Sequence, residues 1–269
     1  METRDGSRYD DHDLIAKISF EVSALNFTLT RILILSLSAV LALSGTSCET
    51  GPDLANTNKA TVKNTNSAPP EQELSGVYSV EGANENSGAR FDGTLTVENA
   101  ESGYRFKWQT SKGNFTGVGV QLGDAVAVTY AKGAEGKDCG VALYKISNDG
   151  VLEGRIAKWG EFTFGTERAT RIEGSNFEGK YNVTGSRNYG KQYDGTIEVT
   201  RNGSGYQFDW DTGVRSTGFG IWRGDRAAIG FGGYPCSFML YKVEAGGKLE
   251  GRWGSQRSVG FGTETAKRQ

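Results

Sequence analysis

Histidine is nearly missing from this chain. One stands among 269 residues, His12, and it precedes an apolar segment that reads as an export signal, so the folded part carries none. That excludes Ser-His-Asp and Cys-His catalysis and histidine-based metal sites. Proline is down to 4 residues and cysteine to 3. There is no CxxC pair, no Walker loop and no DxDxDG calcium loop, and glycine-rich pieces such as GFGGYP (230–235) lack the helix that phosphate binding needs. Charge of one sign is also missing. Lys plus Arg number 30 against 32 Asp plus Glu, a net charge of -2, which excludes the basic excess of an electrostatic nucleic-acid binder.

Glycine is what the chain has in quantity, 39 residues, roughly twice ordinary usage. With aromatics, Val, Ile and Thr throughout the second half, this predicts many short strands joined by glycine turns. No window sustains a helical period.

The N-terminal part reads as targeting sequence. ILILSLSAVLAL (32–43) is uncharged, follows Arg31 and leads through SGTS to Cys48. A run of about 12 apolar residues is short for a bilayer span and fits the core of a signal peptide. The order Arg, apolar run, small residues, Cys resembles a bacterial lipoprotein signal, which implies Cys48 as the diacylated first residue of the mature protein. Ordinary signal cleavage nearby is the alternative. Residues 1–24 are acidic where a signal begins positively, and we read them as a mis-assigned start, with the signal at 25–47. Residues 48–73, rich in Asn, Thr, Ala and Pro, carry too little apolar surface to fold and read as a flexible tether. Glu49 is not the aspartate associated with inner-membrane retention, so the expected location is the cell envelope, the outer membrane ahead of the inner.

From Leu74 the chain repeats with a period of about 100 residues. GVYSVEG (76–82) returns as GKYNVTG (179–185), FDGTLTV as YDGTIEV, GYRFKW as GYQFDW, and LYK, LEGR and FGTE recur in order. The copies run 74–171 and 177–269. Each divides into about eight alternating segments, which predicts an all-β fold of two tandem up-and-down antiparallel barrels, with a β-sandwich as alternative. The opening GxYxVxG and an arginine near the end of each copy are similar to the lipocalin and avidin group, where Gly-x-Trp and a late Arg close one barrel end. Across both copies the motifs resemble exported bacterial β-repeat proteins. These resemblances imply a barrel and an exported setting, and supply no catalytic residue or cofactor.

Features kept in both copies serve the shared fold; features of one copy are candidates for special function. Tyr104, Phe106 and Trp108 recur as Tyr206, Phe208 and Trp210 while the residues between them change charge, so the stripe reads as core. Were a barrel hollow, Tyr78, Trp108, Tyr181 and Trp210 would line it. Glu153, Arg155 and Glu167, with Glu250, Arg252 and Glu264, read as solvated cross-strand ladders. Cys139 and Cys236 read first as buried free thiols, with a bridge between the copies as the alternative. Trp222, Arg223, Arg215 and Arg226 cluster in the second copy only, with Trp222 expected outward beside arginines, a composition suited to a partner surface. The RGD at 223–225 reads as turn chemistry rather than an adhesion motif.

The leading functional expectation is therefore a lipid-anchored, non-catalytic binding protein of the cell envelope, whose partner is a protein or a glycan and not a nucleic acid. A carrier of small hydrophobic ligands is the second reading, and an envelope hydrolase or enzyme inhibitor the third.

Overall fold

The computed structural model describes residues 70–269, except residues 102, 134, 135, 137, 162 and 259. The expectations for the start, the signal, Cys48 and nearly all of the tether lie outside the described residues.

The first copy forms β1 (Gly76–Asn84), β2 (Arg90–Ala100), β3 (Gly103–Thr110), β4 (Gly113–Leu122), β5 (Ala125–Lys132), β6 (Gly140–Ile146), β7 (Val151–Lys158) and β8 (Gly165–Ser175). The second forms β9 (Glu178–Ser186), β10 (Gln192–Asn202), β11 (Gly205–Asp211), β12 (Arg215–Arg223), β13 (Arg226–Phe231), β14 (Ser237–Val243), β15 (Leu249–Ser255) and β16 (Gly262–Arg268). Alternation of buried and exposed residues is clean in strands such as β3 and β9, as expected where one face meets a core and the other meets water. The protein is all-β, with two closed antiparallel barrels of eight strands each.

The barrels do not coincide with the repeated copies. The first barrel runs β1-β16-β15-β14-β5-β4-β3-β2 and the second β10-β11-β12-β13-β6-β7-β8-β9. Each takes five strands from one copy and three from the other. The chain leaves the first barrel after β5, builds β6 to β13, and returns at β14. At the crossover seams β5 pairs with β14, Ala127 opposite Leu240, and β13 pairs with β6, Ala228 opposite Leu143.

Inside the first barrel Tyr78, Leu95, Phe106, Val128, Tyr241 and Leu249 are buried, and inside the second Tyr144, Leu152, Tyr181, Ile197, Phe208 and Ile229. A third apolar cluster lies outside both. Val120, Ala127, Val141, Leu143, Phe219, Ala228 and Phe238 come from the outer faces of β4, β5, β6, β12, β13 and β14 and pack the barrels together. The strands at this junction are therefore buried on both faces, which is why AVAVTYA and GVALY are almost continuously apolar.

Cys139 and Cys236 are joined, with Cα atoms 5.5 Å apart. The expectation of free thiols is corrected. Asp138 and Cys139, which lead into β6, lie against Gly232 of the β13–β14 crossover, and this brings the two cysteines to bonding distance.

One end of each barrel is closed by an arginine and a tyrosine. The Arg268 guanidinium lies 5.2 Å from the centre of the Tyr78 ring and donates to Ser75 O (2.7 Å), Glu73 O (2.7 Å) and Tyr78 Oη (2.9 Å). In the second barrel Tyr181 donates to Phe177 O at 2.8 Å, and Arg171 bonds both Tyr181 and Asn176 O. Each closure joins the tail of one copy to the first strand of the other. Tyr78 and Tyr181 therefore plug the closed ends and do not line a cavity.

The open end of the second barrel

The site begins with a glycine and a glutamate on facing strands. In β7 and β8 the register sets Gly154 opposite Glu167, not Glu153 or Arg155. Side chains of directly opposed residues share a face, and a slip of one residue changes that face. Glu167 thus points inward beside Gly154, while Glu153 pairs with Arg168 on the water side. The first barrel repeats this with Gly251 opposite Glu264. The expected solvated ladders are corrected for both glutamates, which are each 4 % exposed.

Gly154 is required here. A Cβ on it would lie 2.4 Å from a ring carbon of Tyr144, and one on Gly251 would lie 2.6 Å from Tyr241. The missing side chain lets each tyrosine lie flat over the glycine and donate its hydroxyl to the glutamate. The last glycine of GxYxVxG has a similar task, because a Cβ on Gly185 would lie 2.4 Å from Tyr193 Cζ.

Around Glu167 three donors converge. Tyr144 Oη and Trp210 Nε1 (3.4 Å) donate to Oε2, and Tyr193 Oη donates to Oε1 at 2.8 Å. Glu264 accepts from Tyr241 Oη and from Trp108 Nε1 at 3.0 Å. Burial pushes both carboxyls above the ordinary glutamate range and the donors pull them back. Glu264 is pushed up to about 7. At the position of Tyr193 the first barrel has Phe91, a ring without a hydroxyl, so Glu264 receives one donor fewer from the equivalent tyrosine and tryptophan set. Burial and the Glu167 carboxylate in turn push the Tyr193 phenol upward.

Above Glu167 the second barrel opens into a cavity of about 630 Å³, walled by Ile156, Tyr193, Trp210, Ser216 and Phe231. The register makes Ser216 face inward opposite Trp210, as Phe115 does opposite Trp108. Where the second barrel has Ile156 and Ser216, the first has Trp253 and Phe115. There Tyr130 packs at 5.4 Å from Trp108 and 6.0 Å from Phe115, between ring centres. The space in the second barrel thus arises where two large aromatics are exchanged for smaller side chains. Among the described residues, three of the six exposed large apolar side chains, Tyr189, Val214 and Tyr234, belong to the turns at this same end.

Of the four residues expected to line a cavity, Trp210 does so. Trp108 is buried among aromatics in the first barrel, 4 % exposed. Of the four residues expected at a partner surface, Trp222, Arg223 and Arg226 meet at the β12–β13 turn, with Arg223 opposite Arg226, and Arg215 stands apart from them. Arg215 and Arg223 are at opposite ends of β12, about 26 Å apart at strand rise. Arg226 is buried between Asp225 and Asp124 (3.3 Å) at the turns of both barrels. Trp222 sits opposite Ala227 on the inward side, its ring 5.0 Å from Phe177 and 6.0 Å from Tyr206, and covers the closed end of the second barrel. Ile221 is the residue that points out, into the junction between barrels. The expected parity of this strand is reversed because its outer face is covered by the other barrel.

Among the described residues no group of three or more His, Cys, Asp or Glu could hold a metal ion. Comparison with known proteins yields no match: no family model, no curated protein and no solved structure.

Proposed function

We propose that the protein is an exported, non-catalytic binding protein that carries a small molecule in the open end of its second barrel. One observation carries this reading: the cavity of about 630 Å³ over Glu167, at a place that its own repeat fills with Phe115 and Trp253. Cavities of this size, mostly apolar with a few convergent polar groups, are the usual form of small-molecule sites. The export signal and tether fit a carrier held at the cell envelope by Cys48. A protein or glycan partner bound through Trp222 and the arginines is the less favoured reading, since Trp222 is engaged with Phe177 and Tyr206.

The test is titration with a neutral, environment-sensitive naphthalene dye. Binding of one dye per chain, with quenching of tryptophan fluorescence, is expected. The double variant Ile156→Trp, Ser216→Phe, which installs the residues of the first barrel, should lose it. Equal binding by that variant would rule out the cavity as the site.

A further inference from the structure

We infer that the molecule held in the second barrel is an organic cation, a protonated amine on an aromatic or aliphatic body, with its ammonium group on Glu167. This rests on the cavity being the binding site, and adds the class of ligand.

The argument starts from what Glu167 lacks. It is buried, it faces a cavity, and it forms no ion pair with any described residue. Its three neighbours are neutral donors from three strands: Tyr144 of β6, Tyr193 of β10 and Trp210 of β11. A carboxylate offers about four acceptor positions, and Oε1 is met by Tyr193 alone. The position left on Oε1 asks for a further donor, and a buried carboxylate is best completed by a charged one. The walls suit the same ligand. Tyr193, Trp210 and Phe231 supply aromatic rings, which attract a cation, and Ile156 adds apolar surface for the rest of the molecule.

The other charges of the cavity do not satisfy Glu167. Asp138, Lys158, Glu161 and Arg187 stand at the rim, two of each sign, with Arg187 over the Tyr193 ring at 5.6 Å from its centre. The rim balances to zero, and Glu167 gives the interior its only charge among the described residues. An anionic ligand drawn by Lys158 and Arg187 is the rival, and it would have to bring its charge toward a carboxylate.

Three naphthalene probes of one shape decide the matter by calorimetry on the whole protein: 2-naphthylethylamine, the corresponding alcohol, and 2-naphthylacetate. At pH 8 the amine should bind about thirtyfold or more tighter than the alcohol, and the acetate weakest. In Glu167→Gln the amine's advantage should vanish while alcohol binding persists, which also reports that the variant is folded. As pH falls through the Glu167 titration the amine should weaken in the natural protein and not in the variant, because the proton and the ammonium compete for one carboxylate. Equal affinity for amine and alcohol, preference for the acetate, or an amine advantage that survives Glu167→Gln would each overturn the inference and leave the cavity reading standing. Failure of all three probes to bind would overturn both.

Discussion

Glu167 and Glu264 occupy equivalent places and differ by one hydroxyl group. Phe91 stands where Tyr193 stands, and the carboxyl beside Phe91 is held up to about 7. A carboxyl whose value is higher folded than unfolded binds protons more tightly in the native state, so stability falls as pH rises from the ordinary value of 4.5 to about 7. The loss from Glu264 is about 3 kcal/mol across that window, complete above it and absent below it. Urea unfolding at pH 5 and pH 8 should show it, and Glu264→Gln should flatten most of the difference. Phe91→Tyr should supply the missing donor and bring the Glu264 titration down, which a carboxyl NMR titration would follow; an unchanged titration would mean that the hydroxyl does not reach. At this scale the sequence was legible in part. The stripe Tyr, Phe, Trp could be read as core because both copies keep it. Glu167 and Glu264 could not be read as buried, since their facing depends on a register that places each opposite a glycine. The signal was present nonetheless, in a Gly and a Glu kept together in both copies at LEGR and FGTE.

The number of strands was readable from alternation and glycine turns, since about eight segments per copy were expected and each copy forms eight strands. The seam strands were readable as strands but not as seams. AVAVTYA and GVALY are apolar on both faces, and such runs fit a strand covered on both sides whether by its own barrel's neighbour or by a second barrel. The same ambiguity hid the fate of the cysteines, because nothing local says that segments 97 residues apart cross at one point. The bridge closes a loop of that length, and constraining the unfolded chain by it should contribute about 2 to 5 kcal/mol. Cys139→Ser with Cys236→Ser should lower the urea midpoint accordingly, with reductant having no further effect on the variant. Asp138, Gly232 and Gly233 of the crossovers also line the cavity. Ligand affinity should therefore fall on reduction even where the fold survives, measured with the same naphthalene probes.

Duplication was plain in the sequence, and exchange between the copies was not. Repeats of eight strands can close on themselves or trade their last three, and both choices satisfy the same alternation and the same turns. The difference is open to a direct measurement. A chain cut in the turn after β8, at Ser175–Asn176, should remain one particle of unchanged mass on size exclusion even after reduction, because each barrel holds strands from both pieces. Separation into two halves would contradict the exchange. The cavity shares this origin: Ile156 and Glu167 come from the first copy, Tyr193, Trp210 and Ser216 from the second, so neither copy alone can build it.

The two ends of the folded part leave from neighbouring strands of the first barrel, where β1 pairs with β16 and Gln269 N donates to Val77 O at 2.9 Å. Tension applied between those ends loads the β1–β16 ladder from its terminal rung and peels it one hydrogen bond at a time. The second barrel hangs on the crossovers, off the line of force, and stays slack until the first has opened. The cavity of the second barrel is thereby shielded from tension applied between those ends.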